Sequence, residues 1–261
     1  MIATDKVQQL AKQLREAIST RTACPPLRDV IGVEDLKTAY AIQELNNNLL
    51  IEKGARVVGR KIGLTSKAVQ KQLGVDQPDY GALLNTMEIL NGDTISVSEL
   101  MQPKAEAEIA FVLKSDLTEP NLTMAELISA IDYAVASIEI VGSRIENWNI
   151  KITDTVADNA SASHFVIGHR PVKLENIDLV NCAMVMTKNG EKVSEGKGAA
   201  CLGSPLNATL WLAKTMAALG TPLRAGELIL SGALGPMAAV AAGDVFVAEF
   251  EGLGSVSVGF C

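Results

Sequence analysis

Histidine is nearly absent from this 261-residue chain, which has only His164 and His169. Neither has a ligand partner at helical spacing, so a histidine-rich metal centre is disfavoured and acid–base chemistry falls to Lys, Asp and Glu. Cysteine is sparse as well. Cys24, Cys182, Cys201 and Cys261 are scattered without a Cys-x-x-Cys pair, which suits reduced thiols better than a disulfide frame or a zinc site. Positive charge is in deficit: a formal charge of −7 disfavours a non-specific nucleic-acid or anionic-membrane partner. No apolar run reaches about 18 residues, and no basic-plus-apolar leader opens the chain. The expectation is a soluble cytoplasmic protein. The phosphate-cradling patterns G-x-x-x-x-G-K-[ST] and G-x-G-x-x-G are missing too, so nucleotide binding is not indicated. What remains is a globular composition, 48% apolar and 20% charged, long enough to bury a large core.

Within that composition one stretch stands out, Lys104-Ala105-Glu106-Ala107-Glu108-Ile109-Ala110-Phe111-Val112-Leu113. Period-two alternation puts Ala105, Ala107, Ile109, Phe111 and Leu113 on one strand face and Glu106, Glu108, Ala110 and Val112 on the other. The two carboxylates then project together, roughly 6.5–7 Å apart along the strand. Like charges leading into an apolar run are costly unless a cation sits between them. A hard divalent ion such as Mg²⁺ suits them, since it takes oxygen ligands and keeps positions open for water and substrate. Ser137-Ile138-Glu139-Ile140-Val141 sets a third acid in a similar apolar run.

Around this strand the pattern reads as helices first and strands later. Thr4 and Asp5 precede an amphipathic stripe of Val7, Leu10, Ala11, Leu14, Ala17 and Ile18. A second helix is expected from Glu34 to Lys53, with Leu36, Ala39, Tyr40, Ile42 and Leu50 inward and Gly54 as its stop. Val57 to Gly63 reads as a strand, with Lys61 costly among apolar neighbours unless it is paired or snorkels. Thr65 or Ser66 then caps a short helix through Leu73, and Gly74 to Gly81 forms a loop of turn formers. Thr123-Met124-Ala125-Glu126 is a capping box for a helix to about Tyr133. Gly142 to Ser163 is a long polar segment whose length marks it as functional or as a lid. Asn189-Gly190 signals a hairpin between Cys182–Lys188 and Glu191–Ser194. A helix runs from Pro205 to Gly220, with Leu206, Leu210, Trp211, Ala213 and Leu219 on its apolar side. Strands follow at Leu228–Leu230, Val245–Phe250 and Val256–Phe260. The small residues of Ser231 to Met237 allow an anion or carboxylate to approach the backbone there.

Six blocks then match a known family in order: Gly59–Ser66, Gly74–Gly81, Lys104–Phe111, Glu139–Ile145, Asp154–Ser161 and Leu230–Met237. Together they resemble the 2-keto-4-pentenoate (2-hydroxypenta-2,4-dienoate) hydratases of aromatic meta-cleavage pathways, within the fumarylacetoacetate hydrolase superfamily. The resemblance implies an α+β fold: a mixed β-roll or distorted β-barrel core with an N-terminal helical region and surrounding helices. It implies one catalytic domain over 1–261, helical over 1–55 and a β-rich metal-binding core over 56–261. It further implies Mg²⁺ or Mn²⁺ on Glu106, Glu108 and Glu139, and Lys61 and Asp79 as catalytic residues. Leu83, Ser161, Ser231, Gly232 and Gly235 match positions near the substrate. A homo-oligomer and a complex with the pathway's decarboxylase are also implied.

The activity so implied is hydration of 2-hydroxypenta-2,4-dienoate to 4-hydroxy-2-oxopentanoate through its 2-oxo-3-enoate tautomer. The sister activity, 4-oxalocrotonate decarboxylation, shares most of the blocks, but Asn147-Trp148-Asn149-Ile150-Lys151-Ile152-Thr153-Asp154-Thr155 resembles the hydratase version. A hydratase of 2-oxohept-3-ene-1,7-dioate would need a further cation, with Arg60 and Arg144 as candidates. A non-catalytic carboxylate-binding or complex-stabilising subunit would have no use for Lys61, Asp79 and three glutamates together.

Overall fold

A computed structural model describes residues 4–67, 70–71 and 75–261. The helix expected through Leu73 and the first residue of the Gly74–Gly81 loop lie in part outside these residues. Helix α1 (Thr4–Thr20) and helix α3 (Leu36–Glu52) flank the short α2 (Arg28–Ile31). Leu10, Ala11, Leu14 and Ala17 of α1 meet Ala39 and Ile42 of α3 in one buried cluster, while Ile18 and Leu50, expected inward, are exposed. Asp35, rather than Glu34, opens α3, its carboxylate accepting from the Thr38 amide at 3.0 Å.

The remaining chain forms two mixed sheets. The larger contains β1 (Val57–Gly63), β2 (Asp79–Leu84), β4 (Lys104–Leu113), β5 (Ile131–Val141), β6 (Ala162–Ile167) and β9 (Leu228–Ala233), in the order β2-β1-β9-β4-β5-β6. The two-residue β10 (Ala238–Ala239) adds to β4. The smaller runs β3-β12-β11-β7-β8, from β3 (Thr94–Ile95), β7 (Ala183–Lys188), β8 (Glu191–Lys197), β11 (Val245–Phe250) and β12 (Gly254–Phe260). The hairpin was legible in detail: Asn189 and Gly190 both take positive φ, 52° and 83°, as a two-residue primed turn requires.

Helix α4 (Met124–Ala130) has the expected capping box, the Thr123 amide donating to Glu126 Oε2 at 2.7 Å, but it stops at Ala130. Ile131, Asp132 and Tyr133 already belong to β5. Ile131 and Tyr133 pair with Leu113 and Val112 of β4, and that pairing overrides the helical continuation read from the local sequence. Helix α6 (Pro205–Ala218) ends one residue before Leu219, which is exposed rather than inward. The Gly142–Ser163 segment is no solvent-facing lid. It contains helix α5 (Ile152–Ala157), all six residues of which are buried, anchored where Asp154 accepts from the Arg28 and Lys151 amides at 2.9 Å. No helix among the described residues is long and apolar enough to cross a membrane.

The large sheet keeps its two faces apart. Ala105, Ala107, Ile109, Phe111 and Leu113 join Ala134, Ala136, Ile138 and Ile140 in the main core, with α4, α6 and the inner residues of β11 and β12 closing over them. The opposite face carries a smaller cluster, Leu83, Ala110, Val135, Phe165, Leu228 and Leu230. On that second face, beyond the small cluster, lie the acids. Truncating the fully buried Ile138 to Ala should leave a cavity in the main core and lower unfolding stability by roughly 2–5 kcal/mol, read from the urea midpoint.

Candidate active site

Strand pairing assembles the site from residues distant in sequence. Glu106 on β4 stands directly opposite Glu139 on β5, and Glu108 stands opposite Ser137. Ligand oxygens of Glu106, Glu108 and Glu139 all come within 4.8 Å of one another. On the other side of β9, Lys61 and Gly63 of β1 pair with Gly81 and Asp79 of β2. Lys61, buried and no snorkelling edge residue, points its ammonium at Glu139 Oε2, 3.3 Å away, and donates to the Ala160 carbonyl at 2.9 Å.

Gly63 explains how Asp79 fits beside it. A Cβ on Gly63 would lie 2.2 Å from Asp79 Oδ1 and 3.4 Å from Lys61 Nζ, so the absent side chain is the space both groups share. Gly232, with φ 108°, plays a related part on β9. Its amide donates to Glu108 Oε2 at 2.7 Å, so a carboxylate does approach this small-residue backbone, and it is the chain's own. Behind Gly232 sits Thr65, which a Cβ would strike at 2.2 Å, and the Gly232 carbonyl accepts from Cys201 Sγ at 2.8 Å.

Electrostatically, four carboxylates face one ammonium. Burial raises the pKa of Glu106, Glu108 and Glu139, Glu139 to about 7, with the neighbouring acids adding to the rise and Lys61 opposing it. Burial raises Asp79 as well, against Lys61, the Thr155 hydroxyl and the Gly63 amide. For Lys61 burial pulls the pKa down, but Glu139, Asp79, Glu106 and Glu108 together push it above the usual lysine range, so it stays charged. Glu108 Oε1, Glu139 Oε1 and Asp79 Oδ1 are buried without a hydrogen-bond partner, and Glu139 Oε2 has only the Lys61 ammonium beside it. Unsatisfied anionic oxygens are expensive. Three hard oxygen donors converging with lone pairs to spare fit a divalent cation of the Mg²⁺, Mn²⁺ or Ca²⁺ type.

The other expected residues fall in different places. Leu83 belongs to the apolar cluster on the site's face. Ser161 is buried, its hydroxyl 3.0 Å from that of Thr155. The Ser231 hydroxyl is committed to the Ile109 carbonyl at 2.7 Å. Gly235 packs on the β7–β8 hairpin, where a Cβ would meet Glu195 O and Ser194 Oγ at 2.6 Å each. Neither histidine joins the triad: His164 bonds the Ser163 hydroxyl, and His169 is exposed. All four cysteines are free thiols. Arg144 is clamped by Asp158, bonding its carboxylate through Nε and its carbonyl through Nη2. Arg60 points to the face opposite Lys61 and bonds the Gly59 carbonyl at 3.0 Å.

Sequence reading missed Thr155, Asn159 and the Ala160 carbonyl as parts of this site. Their signal was the polar run Asp154–Ser161, but its backbone path was not readable. Asn159, Ala160 and Ser161 have φ of 54°, 51° and 59°, three successive non-glycine residues in the left-handed region. Each costs roughly 1–2 kcal/mol, a strain that surrounding contacts must hold.

The fumarylacetoacetate hydrolase C-terminal model matches residues 57–260. A 2-keto-4-pentenoate hydratase of Burkholderia vietnamiensis is 56% identical, the match covering 98% of both chains. A 2-hydroxyhexa-2,4-dienoate hydratase of Comamonas testosteroni is 43% identical over 97% of both. Among solved structures, a 4-oxalocrotonate decarboxylase from Pseudomonas putida, complexed with magnesium and adipate, superposes with a TM-score of 0.96 at 36% identity, covering 100% of this chain and 99% of that one. From the matched core and the near-full-length relatives together, the chain belongs to the fumarylacetoacetate hydrolase family.

Proposed function

We propose that this protein is a hydro-lyase that adds water to 2-hydroxypenta-2,4-dienoate, giving 4-hydroxy-2-oxopentanoate in the breakdown of aromatic compounds by meta-cleavage. The observation that carries the reading is the convergence of Glu106, Glu108 and Glu139 beside the buried Lys61. Near-full-length relatives named as hydratases support it.

Glu106, Glu108 and Glu139 would hold Mg²⁺, or Mn²⁺ in its place, which would supply Lewis-acid stabilisation of developing enolate charge. The chain's own groups do the rest. Ketonisation moves the 2-hydroxyl proton off and places a proton on C5, which makes C4 electrophilic. Water then adds at C4, and a proton is placed on C3. Lys61, held charged by its acidic neighbours, donates a hydrogen bond to developing negative charge. Asp79, with its pKa raised by burial, takes and returns protons within reach of Lys61. Ser161 binds the substrate's polar end, Leu83 and its cluster floor the hydrocarbon end, and Ser231, Gly232 and Gly235 bound the pocket through backbone. The chain acts as one catalytic domain in a cytoplasmic homo-oligomer, able to associate with the pathway's decarboxylase.

Two alternatives have distinct signatures. The superposable decarboxylase makes 4-oxalocrotonate the second substrate to test. The longer diacid lacks support from the cations: Arg144 is occupied by Asp158, and Arg60 lies across the strand from the site. Incubation of 2-hydroxypenta-2,4-dienoate with protein and Mg²⁺ should give loss of dienol absorbance and a product heavier by one water, both abolished by chelator. CO₂ from 4-oxalocrotonate with no hydration would transfer the chain to the sister activity.

Glu108→Gln separates metal binding from folding. Neutralising a buried, partly unsatisfied acid should leave the metal-free melting temperature unchanged or higher, while the calorimetric signal of Mg²⁺ binding and the hydratase activity disappear. Retention of full metal-dependent activity would remove Glu108 from the site. The pH dependence has a definite sign. Glu139 moves from an ordinary 4.5 to about 7 in the folded, metal-free chain, so the fold holds more protons than the unfolded chain between those values. Metal-free stability therefore falls as pH rises through that window. Cation binding displaces those protons, so the rise in melting temperature on adding Mg²⁺ should grow between pH 5.5 and 8, by roughly the amount that the metal-free form loses.

A further inference from the structure

The left-handed turn at Asn159–Ser161 needs something to hold it, and the structure supplies a specific clamp. β2 is the edge strand of the large sheet, and the outward N–H and C=O of Ala82 have no neighbouring strand. The Asn159 side chain takes that place. Its Oδ1 accepts from the Ala82 amide at 2.9 Å, and its Nδ2 donates to the Ala82 carbonyl at 2.9 Å. Asn47 on α3 donates to the same Oδ1 at 3.1 Å, tying the amide to the N-terminal helices. Gly81 lets the turn come this close, since a Cβ there would lie 2.3 Å from the Asn159 carbonyl.

The residue after the clamp, Ala160, presents the carbonyl that receives Lys61 Nζ. Lys61 itself pairs with Gly81, next to the clamped Ala82. The side-chain amide therefore fixes the turn on Ala82, one residue along β2 from the Gly81 that pairs with Lys61. We infer that Asn159 is a positioning residue for Lys61: its two-point bond to Ala82, braced by Asn47, holds the strained turn so that the Ala160 carbonyl aims the ammonium into the site. The inference rests on the reading of Lys61 as a working group of the hydratase.

An amide is suited to this because it offers one donor and one acceptor in a plane, matching the exposed N–H and C=O of a strand residue. Asparagine also tolerates the left-handed region better than most residues. A residue that merely sealed the sheet edge would affect stability without regard to Lys61. A positioning residue has its effect through Lys61 and vanishes when Lys61 is gone.

The test is a double-mutant cycle of Asn159→Gly with Lys61→Met. Glycine keeps the left-handed backbone without strain and removes only the clamp. Asn159→Gly should melt cooperatively and keep KM for 2-hydroxypenta-2,4-dienoate within about twofold, while kcat falls about tenfold to a hundredfold, the scale of a misplaced catalytic group. In the Lys61→Met background the same change should leave the residual rate unaltered. Wild-type kcat in Asn159→Gly, or an equal fall in both backgrounds, would overturn the clamp while leaving Lys61 in its role. Wild-type kcat in Lys61→Met would instead overturn the reading of Lys61, and the inference with it.

Discussion

Buried negative charge is the constraint on which this structure turns. Asp79, Glu106, Glu108 and Glu139 crowd one face of a sheet with a single buried ammonium among them. Water would normally solvate such groups, and here Asp79, Glu108 and Glu139 are buried away from it, while Glu106 is half-buried. The surroundings answer in three ways. Lys61 is kept charged, the Gly232 amide turns toward Glu108, and the remaining carboxylate oxygens are left free for a cation. Each response depends on a backbone detail. Gly63 and Gly232 must lack side chains, and the turn before Ser161 must run left-handed.

That dependence explains what the sequence made visible. The β4 alternation was plain because period two is imposed by strand geometry, and the structure separates the faces as the alternation requires. The Asn-Gly hairpin and the Thr123 capping box were legible because their chemistry is local. The end of α4 was not, since whether Ile131 continues a helix or opens a strand is decided by β4, eighteen or more residues earlier in the chain.

The same divide runs through the site. Three acids and a lysine announced themselves as polar groups in apolar runs, where their presence called for partners. Thr155, Asn159 and the Ala160 carbonyl carried no such signal. Asn159 looks like any loop asparagine until the edge of β2 is placed beside it. A backbone carbonyl has no residue type to read at all. The Gly142–Ser163 segment was read as functional from its length, but its burial depends on α1–α3, whose contacts with it are tertiary.

The two-faced strand at the centre has one more consequence. Because side chains alternate, a slip of β4 by a single residue against β5 would drive Glu106 and Glu108 into the main core and bring Ala107 and Ile109 out among the remaining acids. Such a misregistered chain would lose its packing and its oxygen cage in the same event. Chemistry and pairing would thus proofread each other: a chain able to hold a cation on these three acids would thereby report that its strands are in register.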